Sequence, residues 1–76
     1  MALFLSMHTL QRMEERNITR AEIEQGLTRR ETVYMSPEDN SATVILCSTE
    51  AGRQLKLVVA TDDEEYVITA MARGEG

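Results

Sequence analysis

Two helix-start signals follow one another near the beginning of the chain, and they limit the fold more than any other feature of the sequence. The first lies at Ser6, whose hydroxyl can cap a helix, with Leu5 and Leu10 spaced to pack across the cap as a hydrophobic staple. This pattern predicts a helix over residues 7–16. Asn17 ends it, because asparagine tolerates the left-handed backbone that often follows a helix.

The second signal is a capping box formed by Thr19 and Glu22, three residues apart. Ile18 and Ile23 flank the box as a second staple, so we predict a helix over residues 20–28. Two such signals in succession predict a helix–turn–helix pair. A DNA-reading role for this pair is disfavoured, because carboxylates would meet the phosphate backbone and strands follow where a third helix would be needed.

The hydrophobic period changes to two after the second helix, which indicates strands. Short turns separate the apolar stretches, so an antiparallel meander is expected. The predicted fold is α+β: a single domain over residues 1–76 in which two N-terminal helices pack on one face of a four-stranded antiparallel sheet (ααββββ). The predicted strands cover residues 32–36, 42–48, 53–61 and 66–72.

Length and charge exclude several classes of function. The chain has 76 residues, with 8 basic and 13 acidic residues and a net charge of -5. A chain this short holds one small core, which excludes a multi-domain enzyme. The negative charge disfavours a protein that coats nucleic acid, and one Phe with two Tyr is too little aromatic surface for a base-stacking platform. All of the net charge lies beyond residue 35, and four of its acidic residues form the run at 62–65, which is expected to be a solvated turn.

The sequence predicts neither a membrane segment nor a cofactor. The apolar start over residues 1–5 is too short to span a bilayer and has no basic flank, so we expect a cytoplasmic protein without a membrane partner. A single cysteine fits a reducing compartment and, with one histidine, does not make a metal site. Cys47 lies in the most apolar stretch, which favours a core position over a nucleophile.

A cationic stripe on the first predicted helix is the main candidate site. His8, Arg12 and Arg16 follow one another at intervals of four residues, so they share one side of the helix. The apolar side is expected opposite, at Met7, Leu10 and Met13. Such a stripe is typical of a solvated helix face, but its stacked donors also suit a phosphate or carboxylate.

The chemistry that these residue types favour is metal-independent phosphodiester cleavage. His8, the only histidine, can remove a proton from a ribose 2′-hydroxyl or protonate a leaving oxygen, while arginine stabilises charge on the phosphorus oxygens. Thr69 could present a hydroxyl beside that site, although a strand threonine is more often simply a β-branched surface residue.

The opening motif is similar to that of a family of small bacterial domains labelled domain of unknown function 4258. The resemblance rests on Leu5-Ser6-x-His8-x-Leu10-x-Arg12-Met13-x-x-Arg16-Asn17-Ile18-Thr19, with weaker matches at Gly52 to Val59 and at Val67-Ile68-Thr69. Such domains resemble compact toxin-like ribonucleases. The resemblance implies His8 as acid or base, Arg12 and Arg16 as phosphate ligands and Thr69 as an orienting hydroxyl. Asn17 replaces a usual glycine, and Met71 stands where an aromatic residue is expected.

Three functions therefore compete at the level of the sequence. The first is a toxin-like ribonuclease that acts on RNA and pairs with an antitoxin or other protein. The second is a non-catalytic interaction module of a bacterial operon, which could self-associate as a homodimer through an exposed edge strand, because residues 32–36 carry no lysine and no internal proline. The third is a sensor that binds a small anion or nucleotide at the stripe without cleaving it.

Overall fold

The sheet has five strands rather than the predicted four, in a computed structural model that describes residues 3–73. The elements in chain order are β1 (Phe4–Leu5), α1 (Met7–Glu15), α2 (Arg20–Thr28), β2 (Arg30–Met35), β3 (Ala42–Ser48), β4 (Gln54–Ala60) and β5 (Asp63–Ala72). The strand order across the sheet is β1-β5-β4-β3-β2. The α+β class with two helices is confirmed.

The additional strand, β1, makes the sheet mixed. Strands β2 to β5 form the predicted antiparallel meander, whereas β1 pairs in parallel with β5, Phe4 opposite Tyr66 and Leu5 opposite Val67. The all-antiparallel prediction is therefore wrong. A strand of two residues carries no periodicity, and its partner is distant in sequence, so local pattern could not reveal it.

Both helix caps are as predicted. Ser6 accepts a hydrogen bond from the Thr9 N–H, and Thr19 and Glu22 form the complete capping box. Asn17 has a φ of 56°, the left-handed conformation expected after the first helix. The helix itself ends at Glu15, one residue earlier than predicted.

The buried side of α1 differs from the prediction. Thr9 and Met13 are buried, whereas Met7 is 87% exposed and Leu10 is 48% exposed. The expected apolar side through Met7 and Leu10 is therefore wrong, and the exposed Leu10 is not a buried staple. The Thr9 hydroxyl can be buried because two carbonyl oxygens of β5 accept its hydrogen bond.

The core lies between the helices and one face of the sheet. Leu55, Leu57 and Val59 alternate along β4 and are fully buried, as the period of two predicted. Cys47 is also fully buried, which confirms its core position. The remaining members of the cluster are Leu3, Met13, Ile18, Ile23, Leu27, Ile45, Val67 and Ala70.

The acidic run is only partly a turn. Thr61 and Asp62 form the turn, and β5 begins at Asp63, which pairs with Ala60. The expected solvated turn over residues 62–65 and the strand start at residue 66 are thus wrong. The acidic side chains of this stretch remain exposed, so a strand that extends past the core accommodates them.

The face of the sheet opposite the helices is here called the open face. Register places Tyr34 opposite Val44, on the other side of β3 from the core residue Ile45. Phe4 pairs with Tyr66, and Tyr66 precedes Val67, whose side chain points into the core. Phe4 and Tyr66 therefore point to the open face. The three aromatic residues of the chain are therefore all on the open face.

Candidate functional site

Thr9 fixes α1 against a bulge in β5. Its hydroxyl lies 3.1 Å from the carbonyl oxygen of Val67 and 2.9 Å from that of Ile68. The register between β4 and β5 shifts at this point, so that Ile68 has no direct partner on β4. The helix that carries the candidate stripe is thus held by buried polar contacts as well as by Met13.

Arg16 is half-buried and bonds to the backbone of β5. Its Nη1 donates to the carbonyl oxygen of Ala70 at 2.8 Å, and its own carbonyl accepts from Arg53 at 3.1 Å. Arg20, the first residue of α2, similarly donates to the carbonyl oxygen of Leu3 at 3.0 Å. A guanidinium that satisfies a strand carbonyl has fewer donors left for a phosphate.

His8 and Arg12 are the two stripe residues that face solvent. Both are exposed and lie one helical turn apart, so one small anion could contact both side chains. Arg12 forms an ion pair with Glu15, with 3.4 Å between Nη1 and Oε1. His8 borders a shallow concavity on the outer surface of α1, which is also lined by Met7, Leu10, Gln11 and Glu14. The carboxylates of Glu14 and Glu15 weaken the attraction for an anion here.

Thr69 lies apart from these residues. Thr69 pairs with Val58 of β4. Their chain neighbours Leu57, Val59 and Ala70 point into the core, so Val58 and Thr69 point to the open face. The helices cover the other face, so the sheet separates Thr69 from the stripe. Of the four predicted site residues, the structure brings together His8 and Arg12, gives Arg16 a structural bond and leaves Thr69 on the opposite side.

The edge strand β2 forms a second exposed feature. All six of its residues are exposed, including Val33 at 46%, Tyr34 at 41% and Met35 at 55%. This edge agrees with the expectation from the sequence, in which residues 32–36 are the first strand of a meander and carry no lysine and no internal proline.

An aromatic pair lies at the opposite edge of the sheet, where β1 pairs with β5. Phe4 and Tyr66 stack with ring centroids 4.8 Å apart on the open face. The pairing depends on β1, which no local pattern predicts. The stack shields part of both rings and ties the start of the chain to β5.

A polar network joins the first part of β2 to the end of β5. The Ser48 hydroxyl donates to Glu31, and Arg73 donates to Glu31 at 3.1 Å and to the carbonyl oxygen of Cys47 at 2.8 Å. The Ser48 hydrogen bond, and then Arg73, lower the pKa of Glu31 below its usual value. Burial raises the pKa of the Cys47 thiol, which keeps it protonated and unreactive.

Metal-binding groups and membrane-spanning helices are both absent among residues 3–73. Over that range no three His, Cys, Asp or Glu side chains come together as a metal-binding group. Neither helix has the length and apolar character required to cross a membrane.

Comparison with known proteins gives one match. Residues 5–72 match the family model described as Domain of unknown function (DUF4258). No curated protein and no solved structure matches the chain. The match confirms the family resemblance seen in the sequence, and its description names no activity, so the resemblance to toxin-like ribonucleases gains no support from it.

Proposed function

This chain belongs to the DUF4258 family, whose description assigns no activity, and we propose from its geometry that it is an interaction module that binds another polypeptide along β2. The bound segment adds a strand to the sheet, with affinity from main-chain hydrogen bonds and selectivity from alternate side chains. The observation that carries the proposal is the exposed edge of β2, which offers the apolar side chains of Val33, Tyr34 and Met35 and contains no lysine or proline.

The backbone of β2 supports strand addition. Ser36 N–H donates to the carbonyl oxygen of Ala42 at 2.9 Å, and hydrogen-bonded pairs alternate along an antiparallel ladder. Tyr34 therefore bonds to Val44, while Val33 and Met35 direct their N–H and C=O groups away from β3. These outward groups are available to an incoming strand.

The side chains of β2 do little to block such a strand. Edge strands are commonly protected by lysine, proline or a bulge. β2 contains no lysine and no proline, and its bulge lies between Arg30 and Thr32, away from the outward positions. Exposed Val33, Tyr34 and Met35 instead offer apolar contacts.

A photocrosslink at β2 tests this function directly. We expect that a photoreactive p-benzoylphenylalanine at Tyr34, irradiated in cells that produce the protein, forms a discrete polypeptide adduct. Met35→Lys in the same chain should abolish the adduct, because it places a charge beside the outward backbone groups, and circular dichroism should show an unchanged fold.

The matched control is the same photoreactive residue at Asp62, in the exposed turn before β5. An adduct of equal yield at Asp62, or none at Tyr34, would overturn the proposal.

A second candidate function is metal-independent cleavage of RNA, favoured by the exposure of His8 and Arg12 on adjacent turns of a firmly held helix. His8 would take the proton from a ribose 2′-hydroxyl. The 2′-oxygen would then bond to phosphorus to form a 2′,3′-cyclic phosphate as the bond to the 5′-oxygen breaks, and the departing 5′-oxygen would take a proton from water. Arg12 would stabilise the charge on the phosphoryl oxygens.

This candidate is tested by incubating an RNA oligonucleotide with the purified chain in the presence of a chelator. The expected result is cleavage that His8→Ala reduces by about 10²–10⁴-fold. Arg29→Ala removes a positive charge elsewhere and should leave cleavage unchanged. Intact RNA with the unaltered chain, or equal cleavage by His8→Ala, refutes the ribonuclease function and leaves the interaction module untouched.

A further inference from the structure

We propose that the strand bound at β2 is β2 of a second copy, paired antiparallel about a two-fold axis at Tyr34. The inference rests on the proposed interaction function and names its partner. The two sheets would join into one continuous sheet across the paired edges. Each copy would offer the same surface to the other, as two-fold symmetry requires.

The outward backbone groups restrict the register of this pairing. A symmetric antiparallel pair must place outward-facing residues opposite one another so that both N–H···O bonds form. Pairing about Tyr34 sets Val33 opposite Met35 of the second copy, and Met35 opposite Val33. Both pairs are apolar, and both exchange main-chain hydrogen bonds.

The two neighbouring symmetric registers place unfavourable residues opposite Val33 or Met35. Pairing about Met35 would set Val33 opposite Pro37, which has no N–H to donate. Pairing about Val33 would set Met35 opposite Glu31, whose carboxylate is already bonded to Ser48 and Arg73. The register about Tyr34 has two apolar pairs at its centre and moves both conflicts to its ends, where Glu31 lies opposite Pro37. It also brings two Tyr34 rings together on the open face.

Charge at the two ends of β2 is complementary in the same register. The basic Arg29 precedes β2 and Arg30 begins it, and the acidic Glu38 and Asp39 follow it. Antiparallel pairing brings the basic end of one copy beside the acidic end of the other. Arg30 already contacts Glu64 at 2.8 Å, whereas the Arg29 side chain has no ion pair within residues 3–73, so Arg29 carries this part of the argument.

A cysteine scan tests the register. Val33, Tyr34 and Met35 are replaced singly by cysteine in a Cys47→Ala background, so that each chain has one thiol. A non-hydrogen-bonded antiparallel pair has its Cα atoms about 4.5 Å apart, within the span of a disulfide. We expect Tyr34→Cys to form covalent dimers at least several-fold faster than the other two. Fastest dimer formation at Val33→Cys or Met35→Cys would overturn the register.

A charge exchange tests the partner without altering β2. Light scattering on the unaltered chain should give twice the 8.6 kDa chain mass. Arg29→Glu and Glu38→Arg should each weaken the dimer several-fold, and an equimolar mixture of the two variants should restore it, because opposite charges then meet at both ends. A monomer at all concentrations, or no restoration on mixing, would overturn self-pairing.

These outcomes are separable from the proposed function. A monomer whose Tyr34 photocrosslink yields an adduct of some mass other than the dimer refutes the second copy and retains strand addition. A monomer without any adduct refutes both.

Discussion

Gly26 and Cys47 are in close contact where α2 crosses β3. A Cβ atom added at Gly26 would lie 2.6 Å from the Cys47 Sγ, closer than van der Waals contact allows. The next atoms, Leu57 Cδ1 and Cys47 Cβ, would lie at 3.5 and 3.6 Å, which is ordinary contact. The glycine is therefore required by one sulfur atom and not by the helix.

This contact predicts strong coupling between the two positions. Gly26→Ala gains about 1 kcal/mol of helix propensity but overpacks the core at a cost of roughly 1–3 kcal/mol, so we expect net destabilisation. In a Cys47→Ala background the same change should be neutral or stabilising. Urea denaturation of the four proteins measures the coupling, and an equal effect of Gly26→Ala in both backgrounds would contradict it.

Asn17 gives a second prediction at the residue scale. Its φ of 56° suits glycine and penalises a β-branched side chain by about 1–2 kcal/mol. Asn17→Val should lower the melting temperature by several degrees, whereas Asn17→Gly should leave it unchanged or raise it. The Asn17 carbonyl, which accepts from Arg53 at 2.7 Å, is kept in both variants. A higher melting temperature for Asn17→Val than for Asn17→Gly would refute the argument from the backbone conformation.

Among the elements, the helices and the antiparallel meander were predictable, whereas β1 at the far edge of the sheet was not. The caps at Ser6 and Thr19 are local interactions, so a short stretch of sequence contains them. The parallel β1 depends on a partner 62 residues away, and the burial of Thr9 depends on carbonyls of β5. The same distinction applies to the candidate site. The spacing of His8 and Arg12 is local and predicts that they share one side of a helix. The position of Thr69 on the other side of the sheet depends on the register of β5 with β4.

The capping box of α2 gives the prediction at the scale of the element. Thr19→Ala removes the acceptor for the Glu22 N–H, which lies 3.1 Å from the Thr19 hydroxyl. The expected loss is about 1 kcal/mol, or roughly 4–8 °C in melting temperature. Thr28→Ala, at the other end of the same helix, removes only hydroxyl bonds to helix carbonyls and should cost less. Equal losses of stability in Thr19→Ala and Thr28→Ala would show that the capping hydrogen bond contributes nothing specific.

The folded molecule as a whole holds several carboxylates in stabilising contacts. The pKa of Glu22 is lowered chiefly by the Thr19 backbone hydrogen bond and further by Arg53, and that of Asp39 is lowered by hydrogen bonds from Ser41. With the similar effect at Glu31, these groups favour the folded state when ionised.

The pH dependence of stability follows from these directions. A carboxyl whose pKa is lowered by folding adds stability above its unfolded pKa, near 4.5 for Glu, and this contribution is lost as pH falls through the folded pKa. We expect the melting temperature to fall as the pH drops below about 4.5. Glu22→Gln should reduce this slope more than Glu38→Gln, a change in the exposed loop after β2. Parallel pH profiles for the two variants would contradict the assignment.

The brevity of β1 has a consequence for how large an assembly can become. A sheet with two long open edges can add copies without limit and grow into a fibre. Here one edge is the six-residue β2 and the other is a strand of two residues. Once two copies join at β2, each outer margin of the combined sheet consists of β1 and the part of β5 that β1 leaves uncovered. Thr9 and Arg16 already bond to carbonyl oxygens of Val67, Ile68 and Ala70 there, and β1 is too short a template for another strand, so growth would stop at a closed pair.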